Sequence, residues 1–134
     1  MDRIDIHIDV PRLTYEEISG FPGEDKTESS EKIRERVIKT RKIQEERYKD
    51  IQGISLNSDL RGGLIDKFCN ITQGAKLLLK DAFSKLGLSG RAYTSILKVA
   101  RTISDLSKKD IIDEYAISEA IQYRSLDKDV FKVF

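Results

Sequence analysis

Ile4, Ile6, Ile8 and Val10 alternate with Asp5, His7 and Asp9, the period-2 signature of a half-buried strand over residues 4–10 with the isoleucines facing inward. Pro11 ends it. No second alternating run follows downstream, and a lone strand leaves its own ladder of N–H and C=O groups unpaired. Such a strand either pairs with another copy or partner, or belongs to the sheet of a larger protein lying upstream; the second is the expectation. Residues 11–28 carry Pro11, Gly20, Pro22, Gly23 and many acidic and polar positions, and read as a linker with one short helical turn over 14–18.

Beyond residue 28 the period changes to that of helices. Ser29 or Ser30 caps a long helix over 29–52, with Glu31 in its first turn. Its apolar positions Ile33, Val37, Tyr48 and Ile51 form one narrow stripe interrupted by Thr40 and Gln44, so most of its surface is expected to be wet. Gly53 stops it, and Asn57 or Ser58 starts a short helix with Leu60, Leu64, Ile65 and Phe68 inward, weakened by Gly62 and Gly63. Thr72 caps the clearest core helix, in which Ala75, Leu78, Leu79, Ala82, Phe83 and Leu86 recur at helical spacing until Gly87. Ser89 caps another through Tyr93, Ile96, Leu97, Ala100, Ile103 and Leu106, and a last helix covers about 113–123 with Ile117, Ala120 and Ile121 inward. The tail, with Val130, Phe131, Val133 and Phe134, is apolar without a period. The fold class is therefore mostly α: a bundle of four to five helices over 29–134, preceded by one N-terminal strand and linker over 1–28.

Composition narrows the function. At 134 residues the chain holds one compact domain or a piece of something larger. The longest apolar run, around Leu77 to Leu79, is far too short to span a bilayer, so no membrane partner is expected and the chain reads as cytoplasmic. The lone Cys69 excludes an internal disulfide and a cysteine-rich zinc cage, and is expected as a small buried hydrophobe. A net charge of +1 excludes a bulk polycation, yet the charge is uneven. Residues 1–28 hold three basic and eight acidic side chains, a balance of −5; residues 29–52 stand at +3 and residues 91–109 at +4.

Candidate chemistry is sparse. His7 between Asp5 and Asp9 puts an imidazole and two carboxylates on one strand face, but same-face neighbours lie about 7 Å apart along a strand, too far for three in a row to reach one ion. A solvated polar face explains them, and no metal is expected. No glycine is followed by lysine, so the usual phosphate-cradling loop is absent, and one histidine cannot make a two-His site. The cations of 29–52 are interleaved with Glu35, Glu45, Glu46 and Asp50, the pattern of a self-pairing exposed helix more than of a nucleic-acid contact. Arg91 is more informative. It falls in the first turn after Ser89, where the helix dipole disfavours a cation, which points to an anion such as phosphate; an ordinary surface arginine fits the spacing equally.

Together these segments resemble a known family. The run Asp2-Arg3-Ile4-Asp5-Ile6-His7-Ile8-Asp9-Val10-Pro11-Arg12, then Ser29 to Val37, Leu86-Gly87-Leu88-Ser89-Gly90-Arg91-Ala92-Tyr93, Ile96 to Leu106 and Glu119-Ala120-Ile121-Gln122-Tyr123-Arg124 is similar to the C-terminal part of the magnesium-chelatase-related, ComM/YifB-like AAA+ ATPases of bacteria. The resemblance covers nearly the whole chain and explains the lone strand as the last strand of an ATPase core, directly before a helical lid. It implies that Arg3 matches the arginine finger, which reaches the γ-phosphate of ATP bound to a neighbouring subunit, and that Arg91 matches the sensor-2 arginine. A guanidinium suits both roles because it is always charged and forks onto phosphate oxygens.

The resemblance further implies ATP and Mg2+ as cofactors of the full-length parent, with none expected for these 134 residues alone, since the phosphate-loop, Walker B and sensor-1 motifs are absent from them. The implied partners are an upstream ATPase core and further copies in a ring, a hexamer, with DNA as the remodelled substrate. A magnesium chelatase ATPase subunit is the alternative parent, and a stand-alone helical module binding nucleic acid or protein is the alternative of a different class. Tyr115-Ala116 stands where relatives often carry a histidine, a change read as neutral packing.

Overall fold

In the computed structural model, residues 4–8 and 29–124 are described, and they form five α-helices and one 3-10 turn. The first helix, α1 (Ser30–Arg47), starts at Ser29, whose Oγ accepts the Lys32 N–H at 3.2 Å. It stops short of Gln52, with Tyr48 as its C-cap and the Tyr48 side chain buried in the core, and the chain then passes through Gly53 at φ +84°. The short helix expected from Asn57 is divided in two. Asn57–Asp59 is a 3-10 turn, pinned by the Asp59 carboxylate, which accepts the N–H groups of Ser55 and Leu56 at 3.0 Å each. After Gly62, at φ +53°, the chain restarts as α2 (Gly63–Phe68).

The next three helices begin where their capping residues require. Thr72 Oγ1 accepts the Ala75 N–H (3.1 Å) at the start of α3 (Gln73–Leu86), which closes on Gly87 in the left-handed region. Ser89 Oγ accepts the Ala92 N–H (3.1 Å) at the start of α4 (Gly90–Leu106). Asp113 accepts the Ala116 N–H (3.0 Å) at the start of α5 (Glu114–Gln122). Each cap satisfies one of the N–H groups that a helix start leaves without an intrahelical partner.

α4 is the spine. It packs against α5, α1, the 3-10 turn and α2, and α5 also packs on α3. Close approach is possible because the facing positions are small: Ala75 and Ala82 of α3, Ala92 and Ala100 of α4, and Ala116 and Ala120 of α5 are all buried. Leu79, Ile96, Leu97, Ile117 and Ile121 fill the space between them. A short parallel bridge of Ile71 with Ile112 sets α3 and α5 side by side, with Thr72 donating to the Ile112 carbonyl and Ile112 to that of Asn70, both at 2.9 Å.

Three expectations change. Residues 4–8 are not a strand, and their polarity is inverted: His7 is buried, whereas Ile4, Ile6 and Ile8 are about half exposed. With no neighbouring strand among the described residues, the His7 N–H donates instead to the Tyr123 carbonyl at the end of α5. In α1 the interrupting residues Thr40 and Gln44 are the ones buried, while Ile33 and Val37 are exposed. Phe83, expected inward, lies partly in solvent, as do Tyr93 and Leu106 of α4, and Tyr115 is exposed beside buried Ala116. Residues 9–10 of the expected strand, the 11–28 linker and the 125–134 tail lie outside the described residues. No helix among the described residues is long and apolar enough to cross a membrane.

Candidate functional site

Arg91 stands in the first exposed turn of α4. Its neighbours explain its direction: Ala92, Ser95 and Ile96 are the buried row of this turn, so the preceding residue faces outward. Its carbonyl accepts the Thr94 hydroxyl at 3.0 Å, which ties the turn together. A guanidinium here adds to the positive end of the helix dipole, and the combination attracts an anion.

Beside this turn, α2, α3 and α4 frame a groove of about 800 Å³. Its floor is Cys69, Leu79 and Leu97, and Lys76, Lys80 and an edge-on aromatic pair, Phe83 with Tyr93 at 6.1 Å, line it. Gly90 lies on its rim, next in sequence to Arg91. Cys69 offers no nucleophile: it is buried, and burial pushes its thiol up to about 11. Among the described residues, no group of three or more His, Cys, Asp or Glu side chains stands together to hold a metal ion.

A second polar cluster lies under α1, where sequence periodicity gave no warning of it. Arg47 clamps Asp105 with both terminal nitrogens, and Asn57 receives the Tyr48 hydroxyl (2.6 Å) while donating to Asp105 (2.9 Å) and Thr102 (3.0 Å). Gln44 Oε1 accepts the Asn57 N–H at 2.9 Å. Arg101, one of the five basic residues counted in 91–109, is 2% exposed and donates to the carbonyls of Lys109 and Asp110 at 2.6 and 2.8 Å. The Asp105 carboxylate raises the Arg47 guanidinium above its ordinary value against the opposing effect of burial, and burial raises Tyr48. The Asp105 carboxylate is paired with both Arg47 and Arg101, so the cluster holds α1 to α4.

Arg3 lies outside the described residues, but Ile4, next to it, does not. The Ile4 carbonyl accepts from Arg124 Nη1 at 2.8 Å and from His7 Nε2 at 3.1 Å. Sequence reading assigned neither Arg124 nor His7 to this task.

Comparison with known proteins matches residues 27–124 to the family described as magnesium chelatase, subunit ChlI C-terminal. Competence protein ComM of Haemophilus influenzae is 38% identical over 126 residues, covering 94% of this chain and 23% of its own length. The uncharacterized protein YifB of Salmonella typhimurium is 35% identical over 128 residues, and that of Escherichia coli 34% over 130, each covering 96% of this chain and 24% of the relative. The chain thus spans about a quarter of the length of the curated relatives it matches.

Proposed function

The chain belongs to the magnesium chelatase subunit ChlI C-terminal family, and on that footing we propose that it works as the helical lid of a ring-forming AAA+ ATPase, completing ATP sites rather than forming one alone. The observation that carries the reading is the exposed Arg91, set against the helix dipole in the first turn of α4 beside an open groove. In this reading Arg91 acts as the sensor-2 arginine, gripping nucleotide phosphate so that phosphate loss moves α4 and the bundle packed on it. Arg3 acts as the arginine finger for a neighbouring subunit's ATP, stabilising the charge that develops in phosphoryl transfer. ATP and Mg2+ supply the chemistry when bound. These 134 residues contain no phosphate-cradling glycine loop, and the chain's own contribution is two guanidinium groups and a rigid support.

The work driven is remodelling of DNA, as in helicase or branch-migration activity. The Haemophilus relative's name, a competence protein, favours DNA over insertion of magnesium into a porphyrin.

The test is a chimera in which residues 1–134 replace the matching segment of the Haemophilus influenzae relative. ATP turnover should survive the graft, and Arg91→Ala should weaken both turnover and nucleotide affinity. Arg3→Ala should abolish turnover with nucleotide binding largely kept. Turnover at the parental rate in both variants would sink the reading. Steep, salt-sensitive duplex binding by residues 1–134 alone would favour the stand-alone module instead.

A further inference from the structure

The end of α5 holds a contact that spans almost the whole chain. Arg124 is 3% exposed, and Arg124 Nη1 donates to the Ile4 carbonyl, 120 residues away in sequence, at 2.8 Å. The same carbonyl takes the His7 ring Nε2 at 3.1 Å, across a bend at Asp5. The His7 backbone N–H in turn donates to the Tyr123 carbonyl. A helix end leaves its last carbonyls without intrahelical partners, and here one of them is satisfied by the N-terminal segment.

Arg124 is itself on firm ground. Its backbone N–H bonds the Ile121 carbonyl at 3.0 Å, that of Tyr123 bonds Glu119 at 3.1 Å, and Ile121 and Ala120 are in the core. A cation at the C-terminal end of a helix is also favoured by the helix dipole. The guanidinium thus reaches out from a fixed helix end, forked and always charged, and seizes the peptide that follows Arg3 in sequence.

We infer that Arg124 is a positioning residue for Arg3: by tying the Ile4 carbonyl to the C-terminal end of α5, it sets where the finger is presented and couples that placement to movement of the helical bundle. This rests on the reading of Arg3 as the finger. Arg124 touches no phosphate in this role; it acts through the backbone of residues 4–8. A finger works only when its guanidinium meets the developing charge in register, so a loosened anchor lowers turnover without lowering nucleotide affinity.

Two measurements test this. In residues 1–134, amide hydrogen exchange should be faster at His7 in Arg124→Gln than in the parent, while the buried amides of α3 and α4 keep their protection. Unchanged exchange at His7 would overturn the anchoring. In the chimera, Arg124→Gln should lower kcat about tenfold or more with KM for ATP unchanged, and Arg124→Lys, which keeps one charged donor, should recover part of the loss. Arg3→Ala should lower kcat on the order of 10³-fold, and adding Arg124→Gln to it should cost nothing further. Parental kcat in Arg124→Gln alongside a crippled Arg3→Ala overturns the inference and leaves the finger standing. Parental kcat in Arg3→Ala overturns the finger reading and the inference with it. Should Arg124→Gln fail to fold, His7→Pro removes the N–H that meets Tyr123 without touching the bundle, and the same drop in kcat at constant KM is expected.

Discussion

Arg47 of α1 and Asp105 of α4 meet fork to fork across 58 residues, with Nη1 2.9 Å from Oδ2 and Nη2 2.6 Å from Oδ1. The Asp105 side chain is 1% exposed and also faces Arg101 Nη2 at 3.2 Å and Asn57 Nδ2 at 2.9 Å. One carboxylate therefore compensates two guanidinium groups, and the two are not equally dependent on it. Arg47 is 21% exposed and can turn to water; Arg101 is 2% exposed and cannot. Asp105→Ala should destabilise the chain by about 3–5 kcal/mol, since it strands a buried cation. Arg47→Ala should cost less, about 1–3 kcal/mol, by leaving Asp105 with its other donors. Urea unfolding of the two variants checks the order, and a larger loss for Arg47→Ala would contradict it.

The elements whose causes are local were legible in the sequence. Ser29, Thr72, Ser89 and Gly87 act at their own helix ends, through bonds to residues three positions away or through φ, and they stand where their types predict. The row Ala75, Leu79, Ala82, Leu86 is buried as its spacing implies. What was not legible depends on the partner surface. Thr40 and Gln44 are buried in α1 because α1 meets a polar part of α4, around Thr102 and Asp105, and hydrophobicity alone assigns the inner face to Ile33 and Val37 instead. Arg101 sits at core spacing, four after Leu97, with Asp105 one turn later; that i, i+4 pairing was the available signal. Arg91 stood out in the sequence because its oddity, a cation in a first turn, is local, and it is indeed exposed in that turn. Arg124 did not, because its partner is 120 residues away.

Gly87 opens the three-residue connection between α3 and α4, Gly90 is the first residue after it, and the two should respond oppositely to alanine. Gly87 adopts φ +58°, which a Cβ disfavours, whereas Gly90 is helical with open space where its Cβ would stand. Gly87→Ala should cost about 1 kcal/mol, and Gly90→Ala should stabilise by about 0.5–1 kcal/mol through a less flexible unfolded chain. Thermal unfolding gives the two signs directly; a matching sign would show that the connection rearranges.

Within α1, protection from hydrogen exchange should be graded along the helix. Thr40 and Gln44 are its buried residues, and Arg47 is anchored on Asp105, all in the C-terminal part. Residues 30–38 are exposed throughout. Their amides should therefore exchange through local fraying, faster than those of residues 43–47, which should open only with the bundle. Asp105→Asn weakens the anchor and should erase the gradient by bringing the C-terminal part down to the level of the rest. Uniform protection along α1 in the parent would mean that its outer half is held by something other than this clamp.

Cys69 should make alkaline pH destabilising. Burial raises its thiol from an ordinary 9.0 to about 11, so between these values the unfolded chain has released a proton that the folded chain keeps. The unfolded state binds fewer protons there, and unfolding free energy falls as pH rises. The contribution is present in full below pH 9.0 and is lost by about pH 11. Urea unfolding across this window should show a shallower decline in Cys69→Ala than in the parent, whatever the absolute stability of the variant. A thiol reagent should label native Cys69 at a rate that follows the opening of the bundle, because the side chain is buried within the core cluster that also holds Tyr48 and Leu79. Labelling at the rate of an unfolded thiol under native conditions would show that the groove beside α3 admits reagent to Cys69 without opening.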